Sequence, residues 1–242
     1  EELVTLVDNG MIAADDDSKE RAHRLVKEFE WDANDARKIW AFGPEANGAN
    51  LLVDMTMGLQ YVNEIRDHCV AGFMAAVSNG PCAKEQMCGC RFNIVDATLH
   101  ADAIHRGASQ ISPPMRRAIY GAMLLAEPSL QEPVYLAEVW SPMDKASSVH
   151  ALIRSRRGKV TEESQKPGTS LCTIKALLPV AESFGIAENL SNGTSSLATI
   201  RIVTLDHWET MADNASMAGE VRDVCIRIRQ RKGLPENMLL IF

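Results

Sequence analysis

The 242 residues contain no apolar run approaching the roughly 18 residues of a membrane span, and the opening segment EELVTLVDNG is acidic. Neither a transmembrane helix nor a signal peptide is expected. The phosphate loop Gly-x-x-x-x-Gly-Lys-[Ser/Thr], a Gly-x-Gly-x-x-Gly between strand and helix, and Gly-x-Ser-x-Gly are all missing, so no cradle for a nucleotide is visible. No Cys-x-x-Cys pair occurs. The six cysteines (Cys69, Cys82, Cys88, Cys90, Cys172, Cys225) follow no regular framework, which points to reduced thiols in a cytosolic compartment. Cys82, Cys88 and Cys90 have five and one residues between them, unlike a zinc knuckle. Aromatic residues are only 5% of the chain, and Trp40, Phe42 and Trp208 share no helical stripe; they read as packing residues rather than a base-stacking platform.

What is present is an ordinary globular composition, 46% hydrophobic and 24% charged, in a length that suggests two domains. The net charge of −7 is confined to residues 1–35, which hold eleven acids against four bases. The remainder is neutral, which excludes a generally basic nucleic-acid coat but leaves local basic surfaces such as Arg222 to Lys232. Glu1 is not Met, and no strand or cap precedes the first strong element; the chain reads as a piece of a longer protein.

Periodicity organises the first half. Apolar positions Ala22, Leu25, Val26 and Phe29 recur at helical spacing between Asp16 and Trp40, with a break near Trp31 and an N-cap at Asp32. Phe42 to Asn50 is rich in breakers and reads as a loop, Leu51 to Asp54 as a short strand. A helix is expected from Thr56 to Ser78, burying Leu59, Val62, Cys69, Phe73, Ala76 and Val77 and stopped by Asn79-Gly80-Pro81. Arg91 to Leu99 reads as a strand, followed by a long polar loop. Pro113 and Pro114 then suit the first turn of a helix that buries Met115, Ile119, Ala122 and Leu125/Ala126. The first domain ends near Gln131.

The second half, residues 132–242, reads as βαββαβ: strand Val134–Val139, helix Ser147–Arg156, strands Lys159–Glu163 and Leu171–Leu178, a helical segment Ala181–Leu190, the loop Ser191–Ser196, and strand Ala198–Leu205. That order is the ferredoxin-like plan, so the fold class is α+β. A terminal helix from Met217 to Lys232 directs Val221, Val224/Cys225 and Ile228 inward and Arg222, Arg227, Arg229, Arg231 and Lys232 to solvent.

One polar constellation asks for chemistry: His100-Ala101-Asp102-Ala103-Ile104-His105-Arg106-Gly107, on the loop after a strand. A metal-dependent hydrolase using His100, Asp102 and His105, with Arg106 holding an anionic substrate, is one reading. A solvated loop whose histidines cap neighbouring backbone is the plainer one. Arg154, Arg156 and Arg157 near a helix end either favour the macrodipole or meet phosphate.

The run TLHADAIHRG (98–107), with ARKIWAFGP (36–44), MRRAIYGAMLLAEPSLQEPVYLAEV (115–139) and LPVAESFG (178–185), resembles the C-terminal part of eukaryotic and archaeal translation elongation factor 2. The resemblance implies a translocation arm: residues 1–131 as a βαβ-type, ribosomal-protein-like arm domain lacking its opening strands, and residues 132–242 as a ferredoxin-like domain with a C-terminal helix. It places His105 at the position modified to diphthamide, the target of ADP-ribosylating toxins, and His100, Asp102, Ile104, Arg106 and Gly107 in the tip loop. Arg116, Arg117, Arg154, Arg156 and Arg157 become candidate RNA contacts. The implied partners are the ribosome, with rRNA and the tRNA–mRNA duplex at the decoding site, and the diphthamide-modifying enzymes; the implied compartment is the cytoplasm. No catalysis and no cofactor are expected in this chain, GTP and Mg belonging to an N-terminal domain outside it. The glycines that usually follow the tip arginine are here Gly107-Ala108-Ser109, and the tract 195–200 also departs from the family. The spliceosomal GTPase paralogue is the alternative within the same fold; the intact Leu99–His105 motif argues for translation.

Overall fold

The computed structural model describes residues 2–45, 48–212, 215 and 219–237, and they form two compact units: Glu1–Pro128 with Asn214–Phe242, and Ser129–Asp213. Ala46 and Asn47 of the expected loop, and Met217 at the expected start of the terminal helix, lie outside the described residues.

In the first unit, α1 (Glu2–Asp8), α2 (Ser18–Phe29) and α3 (Ala33–Arg37) precede a three-stranded sheet of β1 (Ile39–Gly43), β2 (Asn50–Asp54) and β3 (Arg91–Ile94). The break between α2 and α3 falls where the sequence places it. Glu30 adopts a left-handed conformation (φ 56°), and the Asp32 carboxylate accepts from the amides of Asn34 (2.7 Å) and Asp35 (3.2 Å). β1 and α1 were not expected; the Gly-Pro after Phe42 masks a short edge strand antiparallel to β2. β2 and β3 are parallel and are joined through α4 (Val62–Ser78), a βαβ unit.

β2 is buried on both faces, which is why it reads as an unbroken apolar run rather than an alternation. Leu51 and Val53 pack with Val7, Ile12, Leu25 and Phe42 on one side, while Leu52 packs with Phe73, Ala76, Val77, Ile119 and Tyr120 on the other. Asn50, fully buried, donates to the carbonyls of Gly43 (2.9 Å) and Met87 (2.8 Å) and accepts from the Cys90 amide (3.1 Å), stitching three segments without an unpaired polar atom.

Two helix boundaries differ from expectation. α4 starts at Val62 rather than Thr56, after Tyr61 in a left-handed conformation (φ 64°). α5 runs from Ala108 to Leu125 and so begins five residues before Pro113; both prolines lie inside it. Its buried residues are Ile119 and Tyr120, with Met115 and Met123 alongside, whereas Leu125 is 87% exposed. The apolar face is rotated from the expected one because the helix closes on α4 at Gly72.

The terminal helix α9 (Glu220–Arg231) belongs to this first unit rather than to the ferredoxin-like one. Val221 and Cys225 are buried as expected, but so is Arg229, 2% exposed, which corrects its assignment to the solvent face. Its guanidinium donates to the carbonyls of Pro81 (3.2 Å), Cys82 (2.9 Å), Pro235 (2.6 Å) and Asn237 (3.3 Å). Lys232 caps the same end of the loop, donating to the carbonyls of Ala83 and Lys84 and to Glu85 (2.6 Å).

The second unit is β4 (Gln131–Pro142), α6 (Ala146–Ser155), β5 (Lys159–Gln165), β6 (Leu171–Pro179), α7 (Val180–Ser183), α8 (Ile186–Thr194) and β7 (Thr199–Thr210). The sheet order β5-β6-β4-β7, antiparallel throughout, is that of the ferredoxin-like plan. Val139, Ile174 and Ala176 pack beneath Val149, Ile153 and Leu190 of the helices. The expected loop 191–196 is instead the last turn of α8, with Ser195 and Ser196 left-handed beyond it.

Candidate functional site

The site is built where β3 gives way to α5. Beyond Ile94 the chain carries no regular structure until a 3-10 turn at Ala103–His105, and Gly107 then caps α5. The turn is held by short-range geometry. Asp102 accepts from the Ile104 amide (3.2 Å) through its side chain and from the His105 amide (3.2 Å) through its carbonyl, and the Arg106 amide donates to the Ala103 carbonyl (3.0 Å). The Asp102 amide donates to His100 Nδ1 (3.0 Å), so that nitrogen carries a lone pair and the ring proton sits on Nε2. The plainer expectation, a histidine that caps backbone, therefore holds for His100.

His105 is exposed, and its ring meets that of His100 edge to face at a centroid distance of 4.5 Å. It hydrogen-bonds through its ring to no group among the described residues. Ile104 is 74% exposed, an apolar side chain offered to solvent beside two imidazoles.

Arg106 is the opposite. Its side chain is 6% exposed and its donors are spent inside the protein. Nε and Nη2 both donate to Glu64 Oε2 (2.9 and 2.7 Å), Nη1 donates to the carbonyls of His100 (2.8 Å) and Ala101 (2.7 Å), and the guanidinium lies 4.0 Å from the centroid of the Tyr61 ring. The expectation that Arg106 holds an anionic substrate is corrected: it is a brace beneath the loop, not a ligand. Glu64 and Tyr61 were missed by sequence reasoning. They precede Arg106 by more than forty residues, and nothing in the spacing announces the pair.

The remaining candidates separate by pairing. Arg116 and Arg117 are exposed on α5, and Arg154 is exposed at the end of α6. Arg157 forms a two-pronged pair with Glu132 (2.6 and 3.0 Å) and lies 3.7 Å from Glu182, while Arg156 donates to the carbonyls of Glu182 and Phe184. Those two tie a helix end to neighbouring elements of its own unit, Arg157 through the Glu132 carboxylate and Arg156 through Nη1 alone. His100, Asp102 and His105, the residues of the metal-hydrolase reading, do not converge as a three-residue ligand set. Among the described residues no three His, Cys, Asp or Glu side chains converge as a ligand set, and His100 Nδ1 already accepts from backbone.

No helix among the described residues is long and apolar enough to cross a membrane. Residues 10–127 match the family model for Elongation factor G, domain IV, and residues 129–218 match that for the Elongation factor G C-terminus. The two matches are consecutive, meet at the boundary between the first unit and the ferredoxin-like sheet, and leave little of the sequence uncovered; the chain belongs to the elongation factor G family of translation elongation factors, of which it carries domain IV followed by the C-terminal domain.

Proposed function

We propose that this chain is the translocation arm of a factor of the eukaryotic and archaeal elongation factor 2 type, acting in the cytoplasm on the ribosome. The observation that carries this reading is the contrast within one loop: Arg106 is buried and fully braced, while His105, its immediate neighbour, is exposed with only an imidazole against it. A rigid tip bearing an outward imidazole can press on the codon–anticodon minor groove through shape and hydrogen bonds without reading sequence. Arg116, Arg117 and Arg154, exposed, are the candidate contacts to rRNA phosphate. The arm acts by contact rather than by making or breaking bonds, so the chain alone neither binds nor hydrolyses GTP. GTP and Mg belong to another domain of the parent factor.

His105 is then the residue converted to diphthamide and reached by ADP-ribosylating toxins. Chain produced in a eukaryotic host, shown by intact mass to carry the adduct, is expected to accept one ADP-ribose on His105 when incubated with NAD and diphtheria toxin. Transfer to any other residue would overturn the assignment. Calorimetric titration with GTP is expected to give no heat of binding, and micromolar affinity would overturn the division of labour.

A further inference from the structure

We infer that Glu64, on the first turn of α4, is a positioning residue for the His105 tip, acting through the Arg106 guanidinium; the inference rests on the translocation-arm reading. The loop from His100 to Arg106 is short of apolar anchors. Ile104 is its one large aliphatic residue and is mostly in solvent, so hydrophobic burial does not hold the backbone in place. Its short-range bonds shape the turn but do not anchor it; what anchors it is Nη1 of Arg106, which donates to the carbonyls of both His100 and Ala101 (2.8 and 2.7 Å).

That grip is only as firm as the placement of the guanidinium itself. On its other edge the guanidinium has one carboxylate, Glu64 Oε2, which accepts two of its N–H groups, and beneath it the Tyr61 ring. Both partners sit at the start of α4, where the N-terminal end of a helix favours an anion. Tyr61 reaches its place through a left-handed backbone (φ 64°), a conformation costly for a side chain with a Cβ and retained where surroundings demand it.

Removing the Glu64 carboxylate would leave Nε–H and Nη2–H of a buried cation unpaired. A guanidinium in that state moves toward water, and its movement releases the two carbonyls. His100, which carries the ring against which His105 rests, then loses its fixed backbone. The tip is thus registered against α4 rather than against α5, the helix it runs into.

Amide hydrogen exchange on the whole chain tests the brace without the ribosome. Glu64→Ala is expected to accelerate exchange of the Ile104, His105 and Arg106 amides about tenfold and to abolish the cross-peak between the His100 and His105 rings. Glu64→Gln, which keeps an acceptor without the charge, should give a smaller acceleration. Amides of Phe73 and Ile119 should be unchanged, which separates loosening of the loop from loss of the fold. In the full-length factor Glu64→Ala is expected to slow single-round translocation about tenfold with ribosome-stimulated GTP hydrolysis unaltered. Unchanged exchange at residues 104–106 would overturn the inference. So would a loosened loop with normal translocation, provided that His105→Ala does slow translocation. If His105→Ala has no effect on translocation, it is the arm reading that fails, and the exchange data still decide whether Glu64 braces the loop.

Discussion

Arg229 is a buried cation with four carbonyl acceptors and, among the described residues, no carboxylate. Carbonyl dipoles replace its hydration, and the same bonds satisfy the backbone oxygens of Pro81 and Cys82, which would otherwise be buried without these donors. Arg229→Met keeps the aliphatic stem and removes every one of those bonds, so it is expected to destabilise the chain by about 3–5 kcal/mol in chemical denaturation. A loss below about 1 kcal/mol would mean that water replaces the guanidinium readily. Buried thiols, two of them beside Arg229, set a pH response. Burial pushes the Cys82 thiol up to about 12 and the thiols of Cys69 and Cys225 up to about 11, against an ordinary 9.0. In the folded chain these groups hold protons that the unfolded chain releases above about pH 9. Their contribution is therefore fully present below that pH and is lost as pH rises toward 11–12. The melting temperature should fall between pH 8.5 and 10.5, and Cys82→Ala should flatten the fall once its own lower baseline is subtracted. The placement of Arg229 was legible in principle. Val221, Cys225 and Arg229 are spaced by four, so the buried stripe runs straight onto the arginine; reading charge as a sign of solvent ended the stripe one turn early. The brace at Arg106 had no such trace, because its partners are fixed by how α4 returns beside the loop.

At the scale of elements, the crossing of α4 and α5 depends on the absence of one side chain. A Cβ on Gly72 would come within 2.7 Å of the Ser112 carbonyl oxygen and 2.9 Å of Met115 Cβ. Alanine improves helix propensity by about 1 kcal/mol, but the backbone oxygen cannot give way without shifting α5, an overpacking cost of about 1–3 kcal/mol. Overpacking wins, so Gly72→Ala is expected to lower stability by about 1–2 kcal/mol in urea, and a stabilised variant would show that the crossing relaxes freely. The helix α4 itself was legible from its apolar spacing, since Phe73, Ala76 and Val77 are fully buried. The start of α5 was not. Proline is strongest as a signal at a first turn, yet here Pro113 is the sixth helical residue, and the polar segment 108–112 gives no apolar period with which to extend the helix backward. The βαββαβ plan was legible because its strands alternate: Cys172, Ile174, Ala176 and Leu178 are all buried on one face. The row of alternating charge on the other face, Glu162, Lys175, Glu138 and Arg201 on four successive strands, was not, since it exists only through register.

For the whole molecule, the division into two units was legible from length and pattern, but the return of the last helix was not. The chain leaves the first unit at Pro128 and comes back to it after the ferredoxin-like sheet. Deleting residues 214–242 is therefore expected to lower the calorimetric transition of the first unit while leaving that of residues 129–213 in place. A deletion that instead lowers the second transition would assign α9 to the other unit. This threading also imposes an order in time. During synthesis the carbonyls of Pro81 and Cys82 emerge long before Arg229, with the entire ferredoxin-like unit made in between. At about 5–20 residues per second the wait is on the order of 10 s. For that interval the nascent first unit has an open flank at Cys82, and the inserted unit can finish folding before the first one is closed. The unit encoded first is thus the one completed last.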